Sequence, residues 1–267
     1  MLVDSHCHLD YVASCEGMGD VGDIISRAKL NDVEHMLCVC VDLDQAPSLL
    51  KIANKYDGVS ASVGVHPTDV DLNDIVSVAN LLQHAENEKV VAFGETGLDY
   101  FRCSDKDGVL AQQKSLVHHI EAAKEIGKPL IIHARDSFGD IYSLLEKTNA
   151  KQVGGVMHCF TGTLDQAKRA IDLGFYISFS GIITFKNAKD LQEVVRQVPL
   201  DRVLIETDSP YLAPMPFRGK TNQPSYVKYV AEQLAALKGE SYVQVAAATS
   251  DNFYNLFRVI RACNYSF

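Results

Sequence analysis

The sequence has no apolar run approaching the ~20 residues that a membrane-spanning helix requires. It has no surplus of positive charge: 25 Lys and Arg stand against 34 Asp and Glu, a net charge of −9. No basic surface therefore advertises nucleic acid or an anionic membrane. The seven cysteines, Cys7, Cys15, Cys38, Cys40, Cys103, Cys159 and Cys263, are odd in number and form no C-x-x-C pair. That argues against a disulfide scaffold or a thiolate zinc site and fits a reducing cytosol. The opening Met1-Leu2-Val3-Asp4-Ser5-His6 lacks the basic region and apolar stretch of a secretory signal. Repeats, low-complexity tracts and linkers are absent too. The expectation is a cytoplasmic protein with no membrane association and no obligate protein partner.

What the chain does have is core-forming material. Apolar residues make up 47% and charged ones 22% of 267, too apolar for disorder and enough to bury a core. One domain over 1–267 is expected, because α/β barrels often exceed the average domain length without splitting. Short β-branched or apolar runs fall near 2–6, 36–41, 59–65, 90–95, 129–133, 153–158, 175–179 and 203–207. Between them lie stretches of helical period at 21–30, 46–56, 75–86, 110–126, 140–147, 164–173 and 188–198. The alternation implies parallel strands joined by crossover helices, and eight such units over about 200 residues match a (β/α)8 TIM barrel. Two more helices are expected at 224–238 and 242–260, Pro224 suiting a first helical turn. The longer loops, 98–108 and 209–223, would lie on the face where barrel enzymes carry their sites. A doubly wound open sheet would usually need a glycine-rich turn after its first strand, and Gly94-Glu95-Thr96-Gly97 is too short and misplaced for that.

Of nine histidines, His6, His8, His66, His133 and His158 fall at the C-terminal ends of expected strands. One such histidine is ordinarily a half-buried, hydrogen-bonded side chain. Five at strand ends are hard to reconcile with accident, because in a barrel those ends converge on one bowl. His6 and His8 are two apart on a strand, so both point one way and Cys7 the other. Such a pair offers two imidazoles to one cation. Glu95 ends the run Val90-Val91-Ala92-Phe93, and Asp208 follows Val203-Leu204-Ile205-Glu206-Thr207. A carboxylate at the end of an apolar strand should be paired or bound to metal. Four imidazoles and two carboxylates suffice for two cations bridged by one carboxylate.

Other candidates stay open at this level. Glu206 shares a face with Asp208, where it either holds a ligand histidine in place or pairs with a basic side chain. Arg135 shares a face with His133 and either reaches the bowl or is solvated. Arg218, Lys220 and Asn222 either clamp a phosphate or form a solvated basic turn. Tyr100, Phe101, Phe160 and Tyr211 either stack on bases or pack. Cys159 reads as a small core residue, and Cys38 with Cys40 lacks further ligands.

Together these residues resemble the TatD family of metal-dependent deoxyribonucleases, most closely its YcfH-type branch. The resemblance spans nearly the whole chain. It rests on Val3-Asp4-Ser5-His6-Cys7-His8-Leu9-Asp10, Gly64-Val65-His66-Pro67, Gly94-Glu95-Thr96-Gly97-Leu98-Asp99-Tyr100, His158-Cys159-Phe160, Gly174-Phe175-Tyr176-Ile177-Ser178-Phe179-Ser180-Gly181, Glu206-Thr207-Asp208-Ser209-Pro210-Tyr211-Leu212-Ala213-Pro214 and Arg218-Gly219-Lys220-Thr221-Asn222-Gln223-Pro224. It implies a TIM barrel of the amidohydrolase type. It also implies His6, His8, Glu95 and Asp208 around one metal, Glu95, His133 and His158 around a second, and His66 facing substrate.

The function this leads to is hydrolysis of DNA phosphodiester bonds by two-metal catalysis. Asp208 would be the general base, Glu95 the bridge, and Arg218, Lys220 and Asn222 phosphate contacts. Ligands carrying −2 under two divalent ions leave a local charge of about +2, which admits an anionic phosphate to an acidic protein. With few phosphate-neutralising side chains, binding to long duplex would be weak and salt-dependent, favouring a strand end or short oligonucleotide. Imidazole-rich ligation prefers zinc, nickel, iron or manganese over magnesium, although the family's nucleases are usually assayed with magnesium. The alternative is an amidohydrolase or esterase acting on a small molecule or an aminoacyl group. Many such relatives bridge their metals with a carbamylated lysine, where Glu95 stands here. A barrel that binds metal without chemistry is the third reading, and the intact set of six ligands argues against it.

Overall fold

The β-branched runs pair in sequence order into one parallel eight-stranded sheet, each strand beside its neighbour in the chain. In the computed structural model, which describes residues 1–260, the strands are β1 Leu2–Cys7, β2 Val33–Cys38, β3 Val59–Val63, β4 Val90–Asp99, β5 Leu130–Arg135, β6 Gly155–Met157, β7 Phe175–Phe179 and β8 Val203–Ile205. Helices run antiparallel to them on the outside: α1 Leu9–Ser14, α2 Val21–Lys29, α3 Ala46–Lys55, α4 Val78–His84, α5 Lys106–Ile126, α6 Phe138–Lys147, α7 Leu164–Asp172 and α8 Lys189–Gln197, followed by α9 Val227–Lys238 and α10 Tyr242–Phe257. The (β/α)8 barrel expected from the sequence is therefore the architecture. Cys263 lies outside the described residues. Among those residues no helix is long and apolar enough to cross a membrane.

The barrel is nearly closed, and β1 meets β8 through an irregular seam. The amide of Asp208 donates to the His6 carbonyl at 2.9 Å, and that of His8 to the Ser209 carbonyl at 2.9 Å. The buried carboxylate of Asp4 completes the seam, accepting from the Thr207 amide at 2.8 Å and the Thr207 hydroxyl at 2.6 Å. Parallel strands covered on both faces are apolar throughout, and every residue of β1 and β3 is buried. Val3, Leu37, Ala92, Ile131, Val156 and Leu204 form one inner cluster with Phe253 and Phe257 of α10. Strands on opposite sides of a ring meet only through its interior, so these side chains mark the inward face. His133, His158 and Asp208 follow Ile131, Val156 and Leu204 by even steps and face the same way.

Departures from the sequence reading concern boundaries. β6 stops one residue and β8 two residues early, so His158 stands just past its strand and Asp208 three residues beyond its own. β4 continues to Asp99 and α5 starts at Lys106, because the Asp105 side chain caps the Gly108 amide at 2.9 Å. The expected loop 98–108 shrinks to six residues, 100–105. Helix α1 lies in a stretch without an expected element. The expected helix 75–86 is trimmed to α4, whose start is set by Ser77 bonding the Asn80 amide.

His35 on β2 lies beside Phe253 and Tyr254 of α10, with Nε2 2.8 Å from the Ser60 hydroxyl. Burial, assisted by the charge of Lys89, pushes it down to about 4 from 6.5. The unfolded chain therefore takes up this proton first. The neutral ring's contribution is complete above pH ~6.5 and is lost as pH falls toward 4. The destabilisation caused by His35→Gln at pH 7 is expected to shrink by roughly 2–3 kcal/mol at pH 4.5, read by denaturant unfolding. A gap that stays constant with pH would show the ring is not held neutral.

Candidate metal centre

Strand ends bring His6, His8, His66, Glu95, His133, His158 and Asp208 into one bowl. Simple alternation does not deliver all of them. His6 and Glu95 are out of step with the inward residues Val3 and Ala92, and pairing-register shifts in β1 between Asp4 and Cys7 and in β4 between Phe93 and Thr96 turn them inward.

Glu95 is the hub. Its Oε2 lies 3.2 Å from His6 Nε2, while Oε1 lies 2.8 Å from His158 Nε2, 3.0 Å from His133 Nδ1 and 3.4 Å from His66 Nε2. Asp208 Oδ1 lies 3.7 Å from His6 Nε2 and 3.6 Å from His8 Nε2. The donor atoms form three overlapping groups, His6–His8–Asp208, His6–Glu95–His158 and His66–Glu95–His133, each within 4.8 Å. Donors bound at ~2.1 Å to one ion stand about 3.0 Å apart in an octahedron and about 3.4 Å apart in a tetrahedron. The observed separations bracket those values. Both ring nitrogens of His6 are buried without a hydrogen-bond partner, and coordination would relieve that cost at Nε2, the nitrogen that faces Glu95 and Asp208. The residues present fit divalent cations.

Hydrogen bonds aim the rings. His8 donates from Nδ1 to the Val39 carbonyl at 3.1 Å, leaving Nε2 toward Asp208. His158 places Nδ1 3.3 Å from Glu206 Oε1 and turns Nε2 to Glu95. Glu206 is fixed by the Cys159 amide at 2.8 Å and the Ser178 hydroxyl, so of its two open roles it takes that of histidine holder. His66 differs. Its Nδ1 accepts the Thr68 amide at 3.2 Å, so the proton of a neutral ring sits on Nε2, facing Glu95 as a donor rather than as a lone pair.

Charge follows the same layout. Burial alone would raise Glu95, but His158, His66, His6 and the hydrogen bond with His133 hold its carboxyl well below the usual range. Burial would likewise raise Asp208, and the His8 bond and neighbouring imidazoles hold it low. Burial, with His158 beside it, lowers His6, which keeps that ring neutral, the form that binds metal.

Around the mouth some expectations need correcting. Asn222 is fully buried, and its amide donates to the carbonyls of Thr207 at 2.9 Å and Tyr211 at 2.6 Å. It ties the loop after β8 and has no donor left for a phosphate. Phe160 is buried against Phe138 and Phe179, which leaves no face for a base. Tyr100 donates to Asp140 at 2.8 Å. Arg218 and Lys220 are exposed, Arg218 lying 4.3 Å over the Phe185 ring. Arg135 is also exposed, 3.8 Å over Phe101, itself 64% exposed. Tyr211, 55% exposed, stands edge-on to His8 with ring centroids 6.5 Å apart. Sequence reasoning missed Asp99, whose Oδ2 lies 3.2 Å from His133 Nε2. The signal was its even spacing from Glu95 along β4. The Val39 carbonyl and the Thr68 amide left no signal, being backbone groups.

The model of a family described as TatD related DNase matches residues 3–258. The metal-dependent hydrolase YcfH of Escherichia coli strain K12 is 46% identical over 258 residues, covering 97% of this chain and 96% of its own length. The 3'-5' ssDNA/RNA exonuclease TatD of Cronobacter sakazakii is 31% identical over 244 residues, covering 89% of this chain and 92% of its own. The crystal structure of YjjV, a TatD homolog from E. coli K12, superposes with a TM-score of 0.87 at 31% identity, over 97% of this chain and 98% of that one.

A ligand set of this kind ties stability to metal. Zinc or manganese added to chelator-treated protein at about 100 times its Kd should stabilise it by ~2.7 kcal/mol, a rise of roughly 5 °C in Tm. In the double variant His6→Ala/Asp208→Ala the rise should shrink to a fraction of that. An equal rise in both proteins would place the ions elsewhere.

Proposed function

Because the chain belongs to the TatD-related DNase family and is a metal-dependent hydrolase, we propose that it hydrolyses phosphodiester bonds of DNA from a strand end, using two divalent cations. The observation that carries this reading is the shared carboxylate of Glu95, with Oε2 at His6 and Oε1 at both His133 and His158. One oxygen toward each set of imidazoles is the arrangement of a bridging ligand. His6, His8 and Asp208 would hold one cation and His133 and His158 the other. Such cations lower the pKa of water and neutralise charge on a phosphate. Zinc, manganese or nickel suit the imidazoles better than magnesium.

The chain's own groups divide the rest of the work. Asp208, a carboxylate held ionised in the bowl, accepts the proton of the attacking water and returns it to the leaving oxygen. His66 offers its Nε2–H to a phosphoryl oxygen. Arg218 and Lys220 approach the flanking phosphate from the loop after β8, and exposed Tyr211 offers a face to a terminal base. Two ligand carboxylates against four positive charges leave a shell attractive to an anion although the chain carries −9. An acidic surface does not track a long duplex, which supports a strand end as substrate, as does the relative named as a 3'-5' exonuclease. The six cysteines among the described residues are free thiols, which suits a cytoplasmic setting.

The test uses 3′-labelled single- and double-stranded DNA, with metals titrated after chelation and an ester and amide panel alongside. Terminal nucleotides should be lost only with metal, and Asp208→Asn should lower kcat by at least ~100-fold. An unchanged rate in that variant removes Asp208 from the chemistry, and turnover of amides alone sinks the nuclease reading. The double variant Arg218→Ala/Lys220→Ala is expected to raise KM for DNA about tenfold while kcat stays within about twofold. A fall in kcat with KM unchanged would move those two side chains out of substrate binding.

A further inference from the structure

Glu95, Gly97 and Asp99 alternate along β4 onto one face, and Gly97 is paired with His133 on β5. Residue 97 has no side chain, and none would fit: a Cβ there would lie 2.0 Å from the His133 carbonyl. Its backbone is also at φ +141°, which side chains rarely adopt. The imidazole of His133 therefore stands diagonally between two carboxylates, Nδ1 3.0 Å from Glu95 Oε1 and Nε2 3.2 Å from Asp99 Oδ2.

The three other rings in the bowl with a hydrogen-bonded nitrogen, His8, His66 and His158, spend Nδ1 on that partner and turn Nε2 to a carboxylate. His133 is reversed. A ring that must present Nδ1 needs its partner at the far nitrogen, and Asp99 is the group placed there. Asp99 is fully buried and held on its own account. Its Oδ1 accepts the Arg102 amide at 2.9 Å, and its backbone amide donates to Gln112 Oε1 at 2.9 Å. A carboxylate anchored in this way offers Oδ2 to Nε2–H and leaves the Nδ1 lone pair free.

We propose that Asp99 is a positioning residue for the metal centre: it fixes His133 as the Nε2–H tautomer, so that Nδ1 serves the cation shared with Glu95 and His158. The inference rests on the two-cation reading above, and its test needs no substrate. Metal-stripped wild type, Asp99→Asn and Asp99→Ala are titrated with zinc or manganese by calorimetry, with Tm recorded for each. Wild type should bind two ions. Asp99→Ala should weaken one class of site by about 10–100-fold and leave the other within about twofold. Asp99→Asn keeps an acceptor for Nε2–H without its charge and should fall between them. Equal affinities for both classes in all three proteins overturn the role of Asp99 while leaving the two-cation reading intact. A uniform loss at both classes, parallel to a fall in Tm, also overturns it by reducing Asp99 to a general stabiliser. If Asp99→Ala does not fold, the same criteria apply to Asp99→Asn. A wild type that binds a single ion overturns the two-cation reading, and this inference with it.

Discussion

A carboxylate buried at the centre of a ring of imidazoles is the constraint on which the rest of the mouth depends. Glu95 is removed from water, a state that is expensive for an unpaired charge. Four histidines from four strand ends surround it within 3.4 Å. Three of them have the remaining nitrogen satisfied, by Thr68, Asp99 and Glu206, and His8 beside Asp208 is held in the same way by Val39. Glu206 in turn is held by a backbone amide and a serine hydroxyl. Only His6 has no such partner on either nitrogen, and it stands between Glu95 and Asp208. The fold thus builds a polar network within an apolar barrel and leaves it incomplete at the ring between its two carboxylates.

The architecture was legible because barrels translate directly into pattern. Leu130-Ile131-Ile132 and Val203-Leu204-Ile205 read as strands buried on both faces, and the seven helical stretches between the strands leave parallel pairing as the connection. The metal-ligand candidates were legible for the same reason, since a charged or titratable residue ending an apolar strand stands out. Parity was the unreliable step. Even steps place His133, His158 and Asp208 correctly, whereas His6 and Glu95 arrive through register shifts that local sequence does not announce. Roles read from residue type alone were weaker still. Asn222 looked like a phosphate contact and is a loop tie. Phe160, open between stacking and packing, is core. In each case burial decided the matter, and burial is a property of the whole fold.

The mouth itself shows how an acidic chain presents its few cations. Arg135 lies over Phe101, Arg218 over Phe185, and Lys220 sits 6.0 Å from the Phe217 ring. Aromatic faces hold the guanidinium planes while their donors remain solvated. Beside Arg135 a groove of about 960 Å³ opens between the starts of α6 and α7 and the flank of α8. Its walls carry Asp136, Asp190 and Glu193 as well as Arg135, so it is not a further cationic surface.

The seam between β1 and β8 has a temporal meaning. Its bonds join Asp4, His6 and His8 to Thr207, Asp208 and Ser209. At ~5–20 residues per second of synthesis, the first two histidines leave the ribosome roughly 10–40 seconds before the acid that completes their group. Throughout that interval a nascent chain carries two of the group's three donors, and it gains the third only when its last strand docks. Closure of that group thereby becomes a report on the docking of β8 against β1.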